Sequence, residues 1–466
     1  MNRLRLAPLL AAALLAGCSF IPTYERPDTP VPAAYPLAGA AADAKAAAEI
    51  DWKDYFTDPR LQTLIGIALA NNRDLRVAML NVEQTRAQFQ IQRANQLPTV
   101  SALANAARQP DAKGNYGNQF QVGLGITAWE IDFFGRIAAL KEQALAQYLA
   151  SEEARKSAQI SLVAAVAAGW LTLQADEELL DLARRTLATR EESAKLTRLR
   201  LDNGVSSELD LRQAESLVAA AQASLAQQQR QRMLDENALA LLLGQSLPEA
   251  IRASLPPARL AQAAPMRALP AGLPSDLLAR RPDIRMAEQQ LIGANANIGA
   301  ARAAFFPRIA LTAQVGSVSN QLSGLFKGGS WAFSLAPQAA LPIFDAGRNQ
   351  AGLDAAKAGR EIAVAQYEKA IQTAFREVSD ALAGQSTLQQ QLDAQGAQAS
   401  ADARRLALSD LRYKNGVASY LDLLDAQRSL YATEQAVVLT RLQQLANQVT
   451  LYKVLGGGFT EIPAQS

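Results

Sequence analysis

The sequence predicts a mixed α+β membrane protein in which very long helices carry a few short strands and the whole unit occurs twice. Three observations lead there: where the prolines stand, an internal repeat, and short segments that alternate apolar and polar residues.

Prolines cluster at 22, 27, 30, 32, 36 and 59, return at 98 and 110, and recur between 248 and 282. They stand again at 307, 337 and 342, and last at 463, which leaves the windows 111–247 and 343–462 free of them. Proline breaks helix interiors, so these windows are where long helices can run. From Arg136 to Asp202, Ile137, Leu140, Ala144, Leu145, Tyr148 and Leu149, then Leu162, Val163, Val166, Trp170 and Leu173, fall at helical spacing. At the usual rise per residue such a helix is roughly 100 Å long. No globular domain of this size needs it, whereas a coiled-coil assembly does.

The repeat is explicit. Asn203-Gly204-Val205-Ser206-Ser207-Glu208-Leu209-Asp210-Leu211 reappears as Asn415-Gly416-Val417-Ala418-Ser419-Tyr420-Leu421-Asp422-Leu423, 212 positions on. Gly135-Arg136 matches Gly347-Arg348 at the same spacing. Asp74-Leu75-Arg76 and Pro98 match Asp283-Ile284-Arg285 and Pro307 at 209. Each copy reads helix, two strands, long helix, turn, helix; in the first, the opening helix runs over 61–96 and the closing one over 207–243. The predicted organisation is residues 1–17 a signal peptide, 18–60 a lipidated extended segment, and 61–247 the first repeat with its hairpin at 98–133. A linker at 248–274, a second repeat at 275–456 with its hairpin at 307–344, and a tail at 457–466 complete it.

In the first hairpin Phe120, Val122, Leu124, Ile126 and Ala128 alternate with Gln121, Gly123, Gly125 and Thr127. In the second, Ile309, Leu311, Ala313 and Val315, then Trp331, Phe333 and Leu335, alternate with Thr312, Gln314, Ser334 and other small or polar residues. Strands of about ten residues with one apolar face suit a transmembrane β-barrel, with a soluble sandwich as the alternative. Four strands cannot close a barrel, since bacterial barrels need at least about eight, so oligomerisation would have to remove the sheet edges. The polar strand residues are then expected to line a lumen, and Phe120, Leu124, Trp331, Phe333 and Leu335 to face lipid; a one-residue slip would invert the two faces.

Composition excludes much else. The 466 residues contain no histidine and one cysteine, and 46 basic against 44 acidic side chains give a net charge of +2. Histidine-based triads, histidine metal sites and intramolecular disulfides are impossible, and no basic surface invites nucleic acid. No phosphate-binding loop or nucleophile elbow is present, so no enzyme activity, cofactor or metal site is expected. Two carboxylates, Asp422 and Asp425, are too few for a dedicated cation site.

The lone cysteine closes an N-terminal pattern. Met1-Asn2-Arg3-Leu4-Arg5 is short and basic, Leu6 to Ala16 is almost all Leu and Ala, and Leu15-Ala16-Gly17-Cys18 follows. The apolar run is too short to span a bilayer and reads as a signal peptide. Small residues before Cys18 resemble the bacterial lipoprotein box, which implies diacylglycerol and an N-acyl chain on Cys18; an ordinary signal peptide with a chance cysteine is the alternative. Ser19, where an aspartate would favour inner-membrane retention, resembles outer-membrane sorting.

Together the lipobox, the duplicated units, and the turns Leu201-Asp202-Asn203-Gly204-Val205 and Tyr413-Lys414-Asn415-Gly416-Val417 resemble the TolC-type outer-membrane factors over nearly the whole mature chain. The stretch from Ser419-Tyr420-Leu421-Asp422-Leu423-Leu424-Asp425 to Tyr431, with the lipobox, is similar to the OprM-like lipoprotein branch. The resemblance implies a homotrimeric channel-tunnel, with four strands per chain forming one shared twelve-stranded barrel above a periplasmic α-helical barrel. It also implies a periplasmic adaptor and an inner-membrane pump of the resistance-nodulation-division type as partners, and export of drugs or other small toxic solutes. Asn203, Gly204, Val205, Asn415, Gly416 and Val417 then meet the adaptor, although ending two helices is itself a sufficient reason for the glycines. Leu421, Asp422, Asp425, Tyr413 and Asp210 match the family's periplasmic gate. Ala418 stands where TolC carries a latch arginine, so Asp210 needs another partner, with Arg412 and Lys414 as candidates, or the latch is absent. Asp210 and Asp422 also fit a capping box with Ser207 and Ser419, which leaves Asp425 as the clearest gate residue. A non-conducting coiled-coil envelope lipoprotein is the alternative function.

Overall fold

A computed structural model of the chain describes residues 19–36, 47–110, 114–255, 259–267, 269, 277 and 280–459. The expected signal peptide, Cys18 and residues 460–466 of the expected tail lie outside them. In chain order the main elements are α1 Pro59–Asn71, α2 Arg73–Ala94, β1 Val100–Pro110, β2 Tyr116–Glu130, α3 Arg136–Asp202 and α4 Glu208–Leu243. The second half has α5 Pro282–Ala303, β3 Arg308–Ser319, β4 Trp331–Ala340, α6 Arg348–Lys414 and α7 Tyr420–Val454. Both long helices, α3 and α6, have 67 residues and begin at the arginine of the repeated Gly-Arg pair.

Contacts divide the chain into two compact units, one holding 1–29, 80–153 and 285–370, the other 30–79, 154–284 and 371–466. The first unit contains the sheet. Its four antiparallel strands run in the order β1-β2-β3-β4, so the two hairpins join through β2 and β3. The register puts Phe120 and Leu124 on the same face as Val315, Phe333, Leu335 and Trp331. Gln121, Gln314, Thr312, Ser334 and Gln338 share the other, where the Gln121 amide donates to Gln314 at 2.5 Å. The expected alternation fails at one place: the register shifts between Ile126 and Trp129, and Ala128 takes φ 49°. An extra residue forms a bulge there, stitched by Ala128 N–H to the Thr312 hydroxyl at 3.2 Å. Thr127 lies in the bulge without a cross-strand partner, so pairing does not place it on the polar face, and Trp129 takes the face that Ala128 was expected to continue.

Between β2 and β3, Gly123 is paired with Gly316. A Cβ on Gly123 would lie 2.2 Å from the Val315 carbonyl oxygen, and one on Gly316 2.2 Å from that of Val122. Only glycine permits this approach.

The same unit holds the N-terminal segment. Phe20 stacks on Phe306 at 4.6 Å, and Phe306 on Phe134 at 5.0 Å. Ile21 packs on bare Gly299, and Asn295 donates to the Pro22 carbonyl at 2.7 Å. Glu288 then receives Arg26 through two bonds, 2.7 and 2.9 Å, and Tyr24 at 3.1 Å. A non-helical segment is thus fastened through residues 20, 21, 22, 24 and 26 along α5 and to Phe306 just beyond it.

The second unit has the larger core. Tyr55 stacks on Tyr452 at 4.0 Å with Phe56 against both, and the Tyr452 hydroxyl donates to the Ile50 carbonyl at 2.6 Å. Trp170 of α3 is fully buried and donates to Asp58 at 3.2 Å. Buried Arg281 spans Glu377 at 2.8 Å and the Val454 carbonyl at 3.1 Å, tying the start of α5 to α6 and the end of α7.

Three expectations about the first half need correction. The segment 18–60 is not extended throughout, since a short helix Trp52–Tyr55 is capped by Asp51 and α1 begins at Pro59. Residues 248–274 include a short helix at Glu249–Ala253. The helix expected over 61–96 is two, α1 and α2, interrupted at Asn72. Asn72 is extended (ψ 130°), its side-chain oxygen accepts Leu75 N–H at 2.9 Å, and its amide donates to the Leu242 carbonyl at 2.9 Å. One side chain therefore starts α2 and docks the end of α4.

The glycine pair gives a direct test. Gly316→Val should prevent β2–β3 pairing and strongly reduce protease-resistant protein in the membrane fraction. Gly117→Ala, on the same sheet but with open space around it, should leave the yield unchanged.

Candidate functional site

The two Asn-Gly-Val turns both lie in the second unit and close in the same way. Gly204 and Gly416 take φ 71° and 72°, the left-handed region where glycine carries no Cβ penalty. Val205 N–H bonds back to the Arg200 carbonyl at 2.8 Å and Val417 N–H to that of Arg412 at 2.9 Å, the six-to-one bond of a Schellman end. Asn203 and Asn415 cap their own helices by donating to Leu199 and Leu411 at 2.6 and 2.7 Å. With the termini satisfied internally, Val205 and Val417 are left exposed at 63% and 68%. Leu209 and Leu421, equivalent in the repeat, are exposed beside them.

Just beyond each turn stands a complete capping box. Asp210 accepts Ser207 N–H at 3.2 Å while Ser207 Oγ accepts Asp210 N–H at 3.1 Å, and Ser419 with Asp422 repeats the arrangement at 3.3 Å for both bonds. Asp210 is also met by the Ser206 hydroxyl at 3.1 Å. Its partner is therefore its own helix start, not Lys414, which pairs with Asp410 at 2.7 Å. Asp410 holds the Lys414 ammonium above its usual range. Neither of the cations proposed from the sequence is recorded on Asp210.

Tyr413 is buried in a cluster with Ala214, Leu217, Tyr420, Leu423 and Leu424. Its ring lies 5.2 Å from that of Tyr420, and the Arg200 guanidinium sits 4.7 Å from its centroid. Among the described residues the Tyr413 hydroxyl has no hydrogen-bond partner, so within one protomer Tyr413 acts as an aromatic wedge and not as a donor. Burial pushes the neighbouring Tyr420 hydroxyl up.

Asp425 has a partner the sequence did not reveal. Arg405, twenty positions earlier on α6, forms an ion pair with it. The charge of Asp425 is thus compensated within the protomer. Both groups are about half exposed or more, so the pair is screened and contributes at most about 1 kcal/mol. Asp425 shares an exposed face of α7 with Leu421 and Asp422, while Leu423, Leu424 and Ala426 point into the core. Such a bond can hold a conformation without making it costly to leave. The first repeat has Ser193 and Gln213 at the corresponding positions, so this pair belongs to the second repeat alone.

Two outcomes follow at the turns. Ser207→Ala and Ser419→Ala should each destabilise by about 1 kcal/mol in chemical denaturation, the usual cost of a lost N-cap. Tyr413→Phe should be neutral or slightly stabilising in the same assay, because it removes a buried hydroxyl without a partner.

Comparison with known proteins completes this picture. Residues 64–245 and 273–457 match the family model described as Outer membrane efflux protein, once per repeat. The antibiotic efflux pump outer membrane protein ArpC of Pseudomonas putida is 46% identical, with 100% of this chain and 98% of that protein aligned. The toluene efflux pump outer membrane protein TtgC, also of Pseudomonas putida, is 46% identical over the same shares. Among solved structures, the open state of the Neisseria gonorrhoeae MtrE outer membrane channel superposes with a TM-score of 0.85 at 44% identity, covering 95% of this chain and 98% of that one. A long helix repeated with a β-hairpin before it, tight turns with exposed valines, and this likeness along the entire chain have one explanation: the protein belongs to the outer membrane efflux protein family and is an outer-membrane efflux channel with the TolC-type, OprM-like fold.

Proposed function

We propose that three copies of this chain close a twelve-stranded barrel and conduct small toxic solutes handed over by a periplasmic adaptor and an inner-membrane pump of the resistance-nodulation-division type. The observation that carries this reading is the four-stranded sheet, whose outer strands β1 and β4 each have only one neighbour while one face is apolar. Trp331, Phe333, Leu335 and Leu124 on that face are mostly exposed in a single chain. In hydrocarbon an open edge is untenable, and three such sheets give the strand number a solute channel needs. Gln121, Thr312, Gln314, Ser334 and Gln338 then face water, an uncharged lining suited to solutes of varied charge. The relatives named for antibiotic and toluene efflux support drugs and organic solvents as the exported class. The exposed valines of the two turns, with Asn203, Gly204, Asn415 and Gly416 shaping them, supply small apolar contacts for the adaptor.

Cys18 carries the lipid anchor in this reading. Phe20 stacks on Phe306, two residues before β3, and that ring on Phe134, four residues after β2. Two residues reach about 7 Å at most, so acyl chains on Cys18 would enter the bilayer beside the base of the strands. The barrel is then the second membrane contact that one lipidated end requires.

Leu421, Asp422 and Asp425 form the gate, with Tyr413 packing its base and Asp210 holding the equivalent turn. Three-fold symmetry turns each position into a ring, and the Arg405–Asp425 pair mutes the charge of the ring at 425.

Single-channel recording in planar bilayers tests this reading: the purified protein should conduct, and a protein that never conducts would refute it. The two halves of the ion pair should act with opposite sign. Arg405→Ala unmasks three carboxylates and should increase block by multivalent cations severalfold, whereas Asp425→Ala with Leu421→Ala should raise resting conductance and weaken that block. Cys18→Ser should abolish lipid labelling and leave part of the protein in the membrane.

A further inference from the structure

A cavity of about 180 Å³ lies in the second unit between α3, α6 and α7, away from the turns and from the face of α7 that bears Leu421 and Asp425. Its walls are apolar where Leu182, Leu406 and Leu430 line it. Three other side chains give it a chemical character, and two of them are unsatisfied. Arg190 is only 7% exposed, yet its guanidinium has one long hydrogen bond, from Nη1 to the Leu217 carbonyl at 3.4 Å, and Nε has no partner among the described residues. The Tyr431 ring sits 5.3 Å from it, pinned by a 2.6 Å hydrogen bond between the hydroxyls of Tyr431 and Ser224. Gln427 presents a buried side-chain oxygen that accepts no hydrogen bond among the described residues.

A buried cation without an anion is costly, and a π face offsets that cost only in part. The other charges at the cavity do not compensate it. Arg185 is paired with Asp181 at 3.0 Å and also opposes the upward shift that burial gives the Glu434 carboxyl. Arg428 adds a like charge near Arg190. The unfilled requirements are therefore one anion at Arg190 and one hydrogen-bond donor at Gln427, beside the three leucines, with Arg185, Thr186, Thr189 and Glu434 completing the lining. A cavity of roughly 150 Å³ holds a benzene ring, so the volume suits one ring with small substituents.

We propose that this cavity binds a small aromatic carboxylate bearing a hydroxyl group, with the carboxylate on Arg190, the ring among the leucines and Tyr431, and the hydroxyl donating to Gln427. Gln427 lies two positions after Asp425 and Leu406 one after Arg405, so the ligand sits directly behind the ion pair of the gate.

Isothermal titration of the full-length protein in detergent micelles tests the site, with benzoate, its three monohydroxy isomers, and 4-hydroxybenzyl alcohol as probes. At least one hydroxybenzoate should bind more tightly than benzoate, and the uncharged alcohol should not bind. Arg190→Gln should weaken hydroxybenzoate at least tenfold, and Gln427→Leu should reduce it to the level of benzoate. Asp425→Ala, which alters the proposed gate, should leave binding intact. Should Arg190→Gln fail to fold by circular dichroism, Leu430→Trp fills the cavity while keeping the arginine and should abolish binding. No binding of any carboxylate to the unaltered protein, equal binding of the alcohol, or undiminished affinity in Arg190→Gln or Leu430→Trp overturns the proposal.

Discussion

Everything in the sheet-bearing unit answers to the unpaired edges of β1 and β4. Hydrocarbon supplies no hydrogen bonds, so each backbone group facing it must be satisfied by another strand. A four-stranded sheet leaves two rows unsatisfied, and no further strand among the described residues covers them. The chain must therefore be completed by copies of itself, and the tight β2–β3 pairing at Gly123 and Gly316, with the bulge at Ala128, brings twist and bend into one protomer's share of the wall.

The helical unit follows a different rule. Its helix ends are closed locally, by Schellman bonds, asparagine caps and capping boxes, so little of the turn regions depends on distant contacts. What remains unsatisfied at these turns is apolar: Val205, Leu209, Val417 and Leu421 project in equivalent pairs. A surface that is rigid in backbone and apolar in side chain is suited to docking, since little ordering entropy is lost when a partner covers it.

Much of this was legible in the sequence because the signals were local or repeated. Proline-free windows left room for α3 and α6, and the repeated Gly-Arg and Asn-Gly-Val motifs marked where each begins and ends. The features that escaped were tertiary. The break at Asn72 depends on the Leu242 carbonyl, 170 positions away, and a helical pattern runs through it undisturbed. The bulge at Ala128 adds one residue to a strand whose composition still alternates. Capping boxes at Asp210 and Asp422 were readable from spacing, whereas Arg405 beside Asp425 was not, because twenty residues and a turn separate them.

The repeat also shows where the two halves of the chain have parted. Their turns are nearly identical in conformation, with glycine φ of 71° and 72°, but their charges are not. In the first half Arg198 pairs with Glu215, both on solvated faces; at the equivalent positions in the second half stand Asp410 and Gln427. Asp410 has turned to Lys414, Gln427 keeps an unsatisfied oxygen in the cavity, and the Arg405–Asp425 pair has no counterpart before residue 247. In a three-fold assembly of such chains, six similar helical hairpins alternate in kind. Three carry the exposed, screened Arg405–Asp425 pair, and three carry the Arg198–Glu215 pair at a different place on the hairpin. The Arg405–Asp425 pair joins α6 to α7 within the second hairpin, so an opening that parts those two helices breaks one weak bond per chain and leaves the capped turns intact.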